Sequence, residues 1–505
     1  MSQRCTLFLV VPANITFGTG FIPARWPYVL AAAVLAANID IELRIIDETI
    51  APFDPRDVKN QDLVCIGIMT DNCIAGYRVA RAAKERGAIV IAGGIHATIL
   101  PEEPFEFGAD AVCVGNGDLI FPTIVKDALS GKLKRRYDGG RTQGGQMVIP
   151  RWELLNPRHY WMPPVVSVAG CPKSCSFCSV WRTDGHDPRE RTAEDIIYEL
   201  SLLRRMGFRM YILADDNVFP FSLNHIAGQK TEEQRRALEA ARKHRFDAFE
   251  RIANHVAKEP MYAFTQMTAE LGSDPDVLKL LRRAKIRAGL VGVESPSAEG
   301  LKSIKKGWNP VGDKMIEAIQ NIQNIGGISV LASIIAGLAS DTPESVAALL
   351  DFALKTGAHF VQFTNLDYFP GTVDFDMAVR RLQSGTNGST SEKHVEITRT
   401  RYWLDEDRSR EHLVHPRLER TALRNMIVSN WNNFYSFPQI LRRAVKLKDW
   451  PLVGVLAYIF GSKAFNTFYN GNGLSADSAR KRNAGLAARL LMKGGRRIFL
   501  ASSAS

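Results

Sequence analysis

No run of about 18–20 uninterrupted apolar residues occurs in this 505-residue chain, so the sequence predicts no membrane-spanning helix. The nearest approach, Leu452 to Tyr469, is broken by Gly461 and Lys463. Cysteine is sparse: seven in all, at positions 5, 65, 73, 113, 171, 175 and 178. That is no secreted disulfide framework in a chain of this length, and the pattern suits a reducing cytoplasm. The sequence predicts no signal peptide either. Cys5 to Val11 is a short buried-strand pattern ending at Pro12, without a basic leader or a cleavage site. Histidine is scarce, and none precedes His96. The first 400 residues carry no net charge excess, which argues against a nucleic-acid groove across the body of the protein. From Arg401 onward 18 Lys and Arg stand against 7 Asp and Glu, an excess of 11 that equals the net charge of the whole chain.

What is present is a double series of strand and helix patterns. Apolar runs at Leu7–Val11, Glu42–Ile46, Leu63–Ile68, Ile89–Ala92 and Ala111–Val114 alternate with helical stretches such as Ala75–Arg86. This alternation predicts a parallel, doubly wound α/β sheet over residues 1–130. Ligands of such sheets bind beyond the carboxyl ends of the strands. The loops expected there are Pro12–Gly20, Met69–Asn72, Gly93-Gly94-Ile95-His96 and Gly115-Asn116-Gly117-Asp118. Residues 131–164 read as a linker: basic at Lys132–Arg136, then Gly-rich, then aromatic and Pro-rich from Trp152. A second series follows over 165–395, with strands expected at Val165–Ala169, Met210–Ala214, Tyr262–Thr265, Ala288–Val293, Val330–Ile335 and Phe360–Thr364. Six such units predict a curved parallel sheet or partial (β/α)6 barrel, with its chemistry at the strand C-termini. From 396 to 505 the pattern turns helical, basic and aromatic.

Cys171, Cys175 and Cys178 form a C-x3-C-x2-C run directly after the first strand of the second series. A [4Fe–4S] cluster is normally held by four thiolates. Three thiolates without a nearby fourth leave one iron open to a substrate or cofactor. A zinc site is the competing reading, but zinc takes four ligands, often in paired C-x2-C units, and no second pair exists.

The run, with aromatic Phe177 before its last cysteine, resembles the signature of the radical S-adenosylmethionine (radical SAM) superfamily, and the N-terminal sheet resembles the cobalamin-binding domain of its cobalamin-dependent class. Together the resemblances span residues 1 to about 375. They imply that the open iron chelates SAM and that its reductive cleavage yields a 5′-deoxyadenosyl radical. By the same resemblance, Asp215 and Asp216 after the second strand contact the SAM amine, as carboxylates can. Glu294 and Ser295 end the fourth strand where relatives hold the ribose. Gly337 follows the fifth, where backbone meets adenine. Met69, Thr70, Gly93, Gly94, His96, Gly115 and Gly117 match positions that contact cobalamin. Each motif has a plainer reading: the acids also suit helix caps and the glycines ordinary turns. The sequence departs from many cobalamin proteins in lacking D-x-H-x-x-G after the first strand, so the usual loop supplies no His to cobalt. A sheet that only scaffolds the barrel is the alternative.

The implied activity is methylation of an unactivated carbon in a small-molecule or lipid-like substrate, using a [4Fe–4S] cluster, SAM and cobalamin, with an electron donor such as flavodoxin or ferredoxin. A radical SAM enzyme that forms rings or couples carbons, a non-catalytic sensor and a tRNA-modifying enzyme are the alternatives. The last favours a small basic RNA-binding barrel at the C-terminus, and the helical pattern there argues against nucleic acid. The basic, aromatic C-terminal region suits a helical cap over the barrel, a peripheral contact with anionic lipid, or both.

Overall fold

The protein is described from a computed structural model that covers residues 4–13, 22–385, 394–405, 412–445, 447 and 452–472. Parts of the expected first loop and the segment 478–500 lie outside the described residues.

The N-terminal sheet has six parallel strands: β1 (Thr6–Val11), β2 (Glu42–Asp47), β3 (Leu63–Gly67), β4 (Ile89–Gly93), β5 (Ala111–Val114) and β6 (Arg136–Asp138). Their order is β2-β1-β3-β4-β5-β6. Central β1 is buried over Thr6–Val10 because helices cover both faces, which is why it reads as an unbroken apolar run. Edge strand β2 alternates in exposure over its first four residues. The five expected strands are all present. The sixth lies in the stretch read as linker: only Arg136–Asp138 pairs with β5, and a three-residue edge strand leaves too little periodicity to detect.

The second sheet is also six-stranded, parallel and open: β7 (Pro164–Val165), β10 (Met210–Leu213), β11 (Tyr262–Thr268), β12 (Ile286–Glu294), β13 (Ser329–Ala336) and β14 (Phe360–Asn365). Between β7 and β10, β8 (Val168–Ala169) and β9 (Arg189–Glu190) form a short antiparallel ribbon. The first barrel strand is therefore shorter than the expected Val165–Ala169. Its continuation is drawn out of the sheet because Ser167 N and Val168 N donate to the Asp215 carboxylate, at 2.6 and 3.1 Å, instead of to a neighbouring strand. Helices return the chain between strands. One, Pro343–Thr356, starts at a Thr342–Ser345 capping box and stops at Gly357 with φ +69°.

An open barrel leaves a strand edge with unpaired backbone groups, a liability that proteins cover. Here the C-terminal helices Arg420–Phe434 and Leu452–Asn472 bring aromatic hydroxyls and an indole to β14. Tyr435 Oη accepts from Val361 N at 2.9 Å and donates to Val361 O at 2.8 Å. Trp431 Nε1 donates to Phe363 O, and Tyr458 Oη to His359 O. Each such bond contributes about 1 kcal/mol net. The expected helical cap is thus present, and its aromatics Trp431, Phe434, Tyr435, Tyr458 and Phe465 are core residues. No helix among the described residues is long and apolar enough to cross a membrane.

The two sheets share their packing. Tyr28 of the N-terminal unit sits in the barrel core, tilted on Trp152 with ring centroids 5.1 Å apart. Leu338, Leu366, Tyr368 and Trp403 complete a core of the N-terminal unit. Buried Glu199 locks the junction: Arg25 and Arg191 pair with it, and Trp152 Nε1 donates to it at 2.8 Å. Burial alone would raise the Glu199 carboxyl, but Arg25 and Arg191 hold it below its ordinary range.

Candidate functional site

The cysteine loop leaves β8 at Gly170, whose φ of +91° favours glycine and where a Cβ would come within 3.0 Å of the Asp187 and Gly185 carbonyls. Backbone bonds then fix the loop: Cys171 N to Gly185 O, Ser176 N to Ile304 O and Cys178 N to Cys175 O. Trp181 Nε1 donates to Cys175 O at 3.0 Å, and Ser176 Oγ donates to Asp374 at 2.9 Å. Phe177 packs half-buried against the N-terminal core. Burial pushes the Cys175 thiol up to about 12, against the opposing pull of the Lys306 ammonium, and the Cys178 thiol up to about 11. Burial raises Cys171 as well. The thiols therefore keep their protons until a metal displaces them. Among the described residues no three His, Cys, Asp or Glu side chains gather closely enough for a single metal ion. A four-iron cube separates its thiolates more widely than one zinc does, so three cysteines on a fixed loop suit the cluster.

Asp215 and Asp216, adjacent in sequence, part company at the end of β10. Asp215 is fully buried. One of its oxygens accepts from Ser167 N and Val168 N, the other from Ser167 Oγ and from Arg245 Nη2 at 3.1 Å. Arg245, on the helix Glu232–Lys258, also donates to Val218 O at 2.7 Å. Asp215 thus shapes the strand end and has its oxygens engaged by protein. Asp216 lines the main cavity and accepts from Gly170 N at 2.8 Å, one residue before Cys171. Burial pushes its carboxyl up to about 6, with the Gly170 N–H pulling the other way.

Glu294 ends β12 at a register shift and holds φ +60°, a left-handed conformation that costs a non-glycine residue energy. The twist carries its carboxylate back over Gly292, where a Cβ would meet Glu294 Oε1 at 2.5 Å, and into a 2.7 Å pair with Lys306. Lys306 Nζ also donates to Gly292 O. Trp308 lies under two cations, Lys173 at 3.9 Å and Lys306 at 5.4 Å, and Lys173 pairs with buried Glu270 at 2.6 Å. None of Lys173, Glu270, Lys306 and Trp308 was legible as site-forming. The run Lys305-Lys306-Gly307-Trp308 is the one local signal that could have drawn notice. Ser295 is buried, and its Oγ accepts from Ser297 N. Gly337, with φ +91°, presents its N–H to Asp341 and faces Leu423 and Asn365.

A cavity of about 790 Å³ lies where the strand C-termini of the two sheets meet. Met69, Gly93, Gly94, Gly115 and Gly117 line one side, and Val168, Ala169, Ala214 and Asp216 the other. Trp26, overlooked in the sequence, lays its indole where a Cβ on Gly67 would fall within 2.5 Å. Gly93 leaves real space: a Cβ there would meet only Cys113, at 3.8 Å or beyond. Gly94 serves packing instead, since a Cβ would strike the Ile68 backbone at 2.6 Å. Thr70 and His96 do not line the cavity. His96 is buried, its Nδ1 3.1 Å from Thr70 Oγ1 and its Nε2 2.9 Å from Glu103. Glu103 also accepts from Tyr77, Trp403 and Arg401, so this network ties the C-terminal segment to the N-terminal sheet.

Residues 165–353 match the Radical SAM superfamily. Among curated proteins, the chain is 24% identical over 363 residues to the bacteriochlorophyllide d C-12(1)-methyltransferase of Chlorobaculum tepidum, covering 70% of this chain and 74% of that protein. Two solved structures share the fold. The radical S-adenosylmethionine methyltransferase TsrM from Kitasatospora setae, with cobalamin and a [4Fe-4S] cluster bound, aligns at TM-score 0.56 and 16% identity, over 75% of this chain and 78% of that one. The cobalamin-dependent S-adenosylmethionine radical enzyme OxsB, with aqua-cobalamin and S-adenosylmethionine bound, aligns at TM-score 0.59 and 14% identity, over 99% and 80%.

Proposed function

We propose that this radical SAM enzyme methylates an unactivated carbon of a small-molecule or lipid-like substrate, with cobalamin seated in the cavity between its two sheets. One observation carries the reading. A large, mainly apolar cavity floored by glycines opens on its far side to Asp216, which is hydrogen-bonded to the residue preceding the cysteine loop.

Cys171, Cys175 and Cys178 would hold the [4Fe–4S] cluster. When bound, the cluster supplies the electron that splits SAM, and the corrinoid supplies the methyl group. The residues around them bind, orient and shield. Asp216 would accept from the SAM ammonium, a charge-assisted bond. By the family resemblance, Glu294, turned by its bulge and held by Lys306, would meet the ribose and the backbone at Gly337 the adenine, although neither lines the cavity itself. Met69, Gly93, Gly115 and Gly117 would cradle the corrin, since glycines let a broad flat ligand approach backbone. His96 acts behind that wall through Thr70 and Glu103. Trp26 and Val168 give the lining apolar surface, which would help exclude water from an intermediate that must not meet it. Electrons come from an external donor of the flavodoxin or ferredoxin class. The names of the curated relative and of TsrM, both methyltransferases, support methyl transfer, and the cobalamin in both solved structures supports the second cofactor.

The experiment is turnover of anaerobically reconstituted protein with methyl-labelled SAM and candidate substrates, read by mass spectrometry. Product carrying the label, dependent on added cobalamin, is expected. Product without label would show a different radical reaction on the same scaffold.

A further inference from the structure

The C-terminal helices that seal the barrel edge also turn an apolar surface outward. On the helix Phe437–Ala444, Ile440, Arg443 and Ala444 pack inward. Phe437 is 58% exposed, Leu441 39% and the following Val445 72%. These three recur at intervals of four, so they form one row along the helix. The helix Leu452–Asn472 repeats the pattern. Tyr458 and Phe465 pack inward, while Leu452 is 74% exposed, Leu456 45% and Phe460 67%. Arg443 Nε donates to Tyr458 Oη at 2.9 Å, so the helices are joined along their inner faces and carry the rows outside. Six large apolar side chains exposed on one helix pair exceed the scatter of single apolar residues on an ordinary surface.

Charge indicates what meets this surface. Between Arg420 and Asn472 seven Lys and Arg stand against one acidic residue, Asp449, and of the seven, Arg443 is buried against Tyr458 and Phe434. Exposed Arg442 lies beside Leu441, and Lys463, three positions after Phe460, reaches Tyr435 O with its Nζ at 3.3 Å. An apolar row flanked by cations matches the boundary layer of a bilayer with anionic headgroups. The chain's own residues 473–505 are a poor cover for it. They carry seven Lys and Arg against Asp477 alone, and like charges repel.

We propose that the helix pair Phe437–Ala444 and Leu452–Asn472 docks the enzyme peripherally on an anionic membrane surface, inserting Phe437, Leu441, Leu452, Leu456 and Phe460 shallowly between headgroups. The inference rests on the exposed rows and the local charge, and it stands apart from the methyl-transfer reading.

Flotation of the purified full chain with vesicles tests it, using phosphatidylcholine alone and phosphatidylcholine containing about 30 mol% phosphatidylglycerol. The chain is expected to float with the anionic vesicles only, and to be released by salt. The full-length double variant Phe437→Glu/Phe460→Glu should partition about tenfold less while keeping the parent's melting temperature. Arg442→Glu should weaken flotation without altering the fold. Failure of the parent to float overturns the proposal, as does unchanged flotation of the double variant. A second double variant, Leu490→Glu/Leu491→Glu, addresses the tail. Flotation that appears only in that variant would mean that the tail covers the rows, and flotation lost only there would make the tail the contact. A dimer in solution that the Phe variant dissociates, with no flotation of the parent, would assign the surface to a second copy.

Discussion

The two sheets are assembled from the same repeat, six parallel strands joined by helices, yet they treat charge at their strand ends in opposite ways. At the barrel mouth, ion pairs stand at successive strand ends: Asp215 with Arg245 after β10, Glu270 with Lys173 after β11, Glu294 with Lys306 at β12. At the N-terminal sheet the cavity wall is mainly glycine and apolar side chains, with Asp47, Asn72, Asn116 and Asp118 set among them and, among the described residues, no ion pair at successive strand ends. Its buried polar network of Thr70, His96, Glu103 and Tyr77 is turned behind that wall. A ligand that is small, charged and precisely oriented needs the first kind of wall. A broad ligand held mainly by shape and burial needs the second. Under the proposed function the two sheets would serve two binding tasks, and each prediction below attacks one side of that division.

Loss of a cysteine should have the largest effect. Cys171→Ala leaves two thiolates, and the reconstituted variant is expected to lose the visible absorbance of the cluster and to form no 5′-deoxyadenosine above background. Retention of both would remove the loop from the chemistry. Next comes the contrast between neighbouring acids. Asp215→Asn leaves buried Arg245 with Glu190 alone, at 3.4 Å, and should cost about 3 kcal/mol in denaturant unfolding. Asp216→Asn should leave unfolding within about 1 kcal/mol and raise the dissociation constant for SAM about tenfold, the loss of a charge-assisted bond. Equal stability losses in both variants would erase the division of labour drawn between them.

The sequence carried the architecture well where periodicity was long. Five N-terminal strands and the barrel strands from β10 onward fall where the apolar runs put them, because a strand buried on both faces writes itself as a continuous run. Strand β7 was misread in length because Val168 and Ala169 are as apolar as a barrel strand, while they pair with Glu190 and Arg189, and Ser167 N and Val168 N turn to the Asp215 carboxylate. Strand β6 was too short to show. At the site, spacing exposed the cysteines, since C-x3-C-x2-C is a local pattern. The separate fates of Asp215 and Asp216 were not legible: both follow the same strand, and only the three-dimensional position of Arg245 decides which one faces protein. Gly93 and Gly94 are the same kind of case, one opening space in the cavity and the other relieving a clash with Ile68. The junction through Glu199 joins residues 25, 152 and 191, and no local pattern encodes such a meeting.

On the N-terminal side the effects should be smaller and of two distinguishable kinds. His96→Ala strips partners from Thr70 and from buried Glu103, and an unfolding loss of about 1–3 kcal/mol is expected. Cobalamin retention after gel filtration should stay at the parent level, because the ring lies behind the wall. Gly93→Leu is the complementary change. Its Cβ meets nothing closer than 3.8 Å, so the fold should tolerate it, while the longer side chain extends into the cavity. Retained cobalamin is then expected to fall about tenfold, a loss of roughly 1.4 kcal/mol, with stability and cluster absorbance unchanged. A variant that keeps cobalamin yet loses the cluster would reverse the assignment of the two walls, and one that loses neither would mean that the corrinoid does not lie against β4. The pair matters more than either member. If His96→Ala disturbs only stability and Gly93→Leu only cobalamin, the apolar wall and the polar network behind it are separate devices, as their hydrogen bonds indicate.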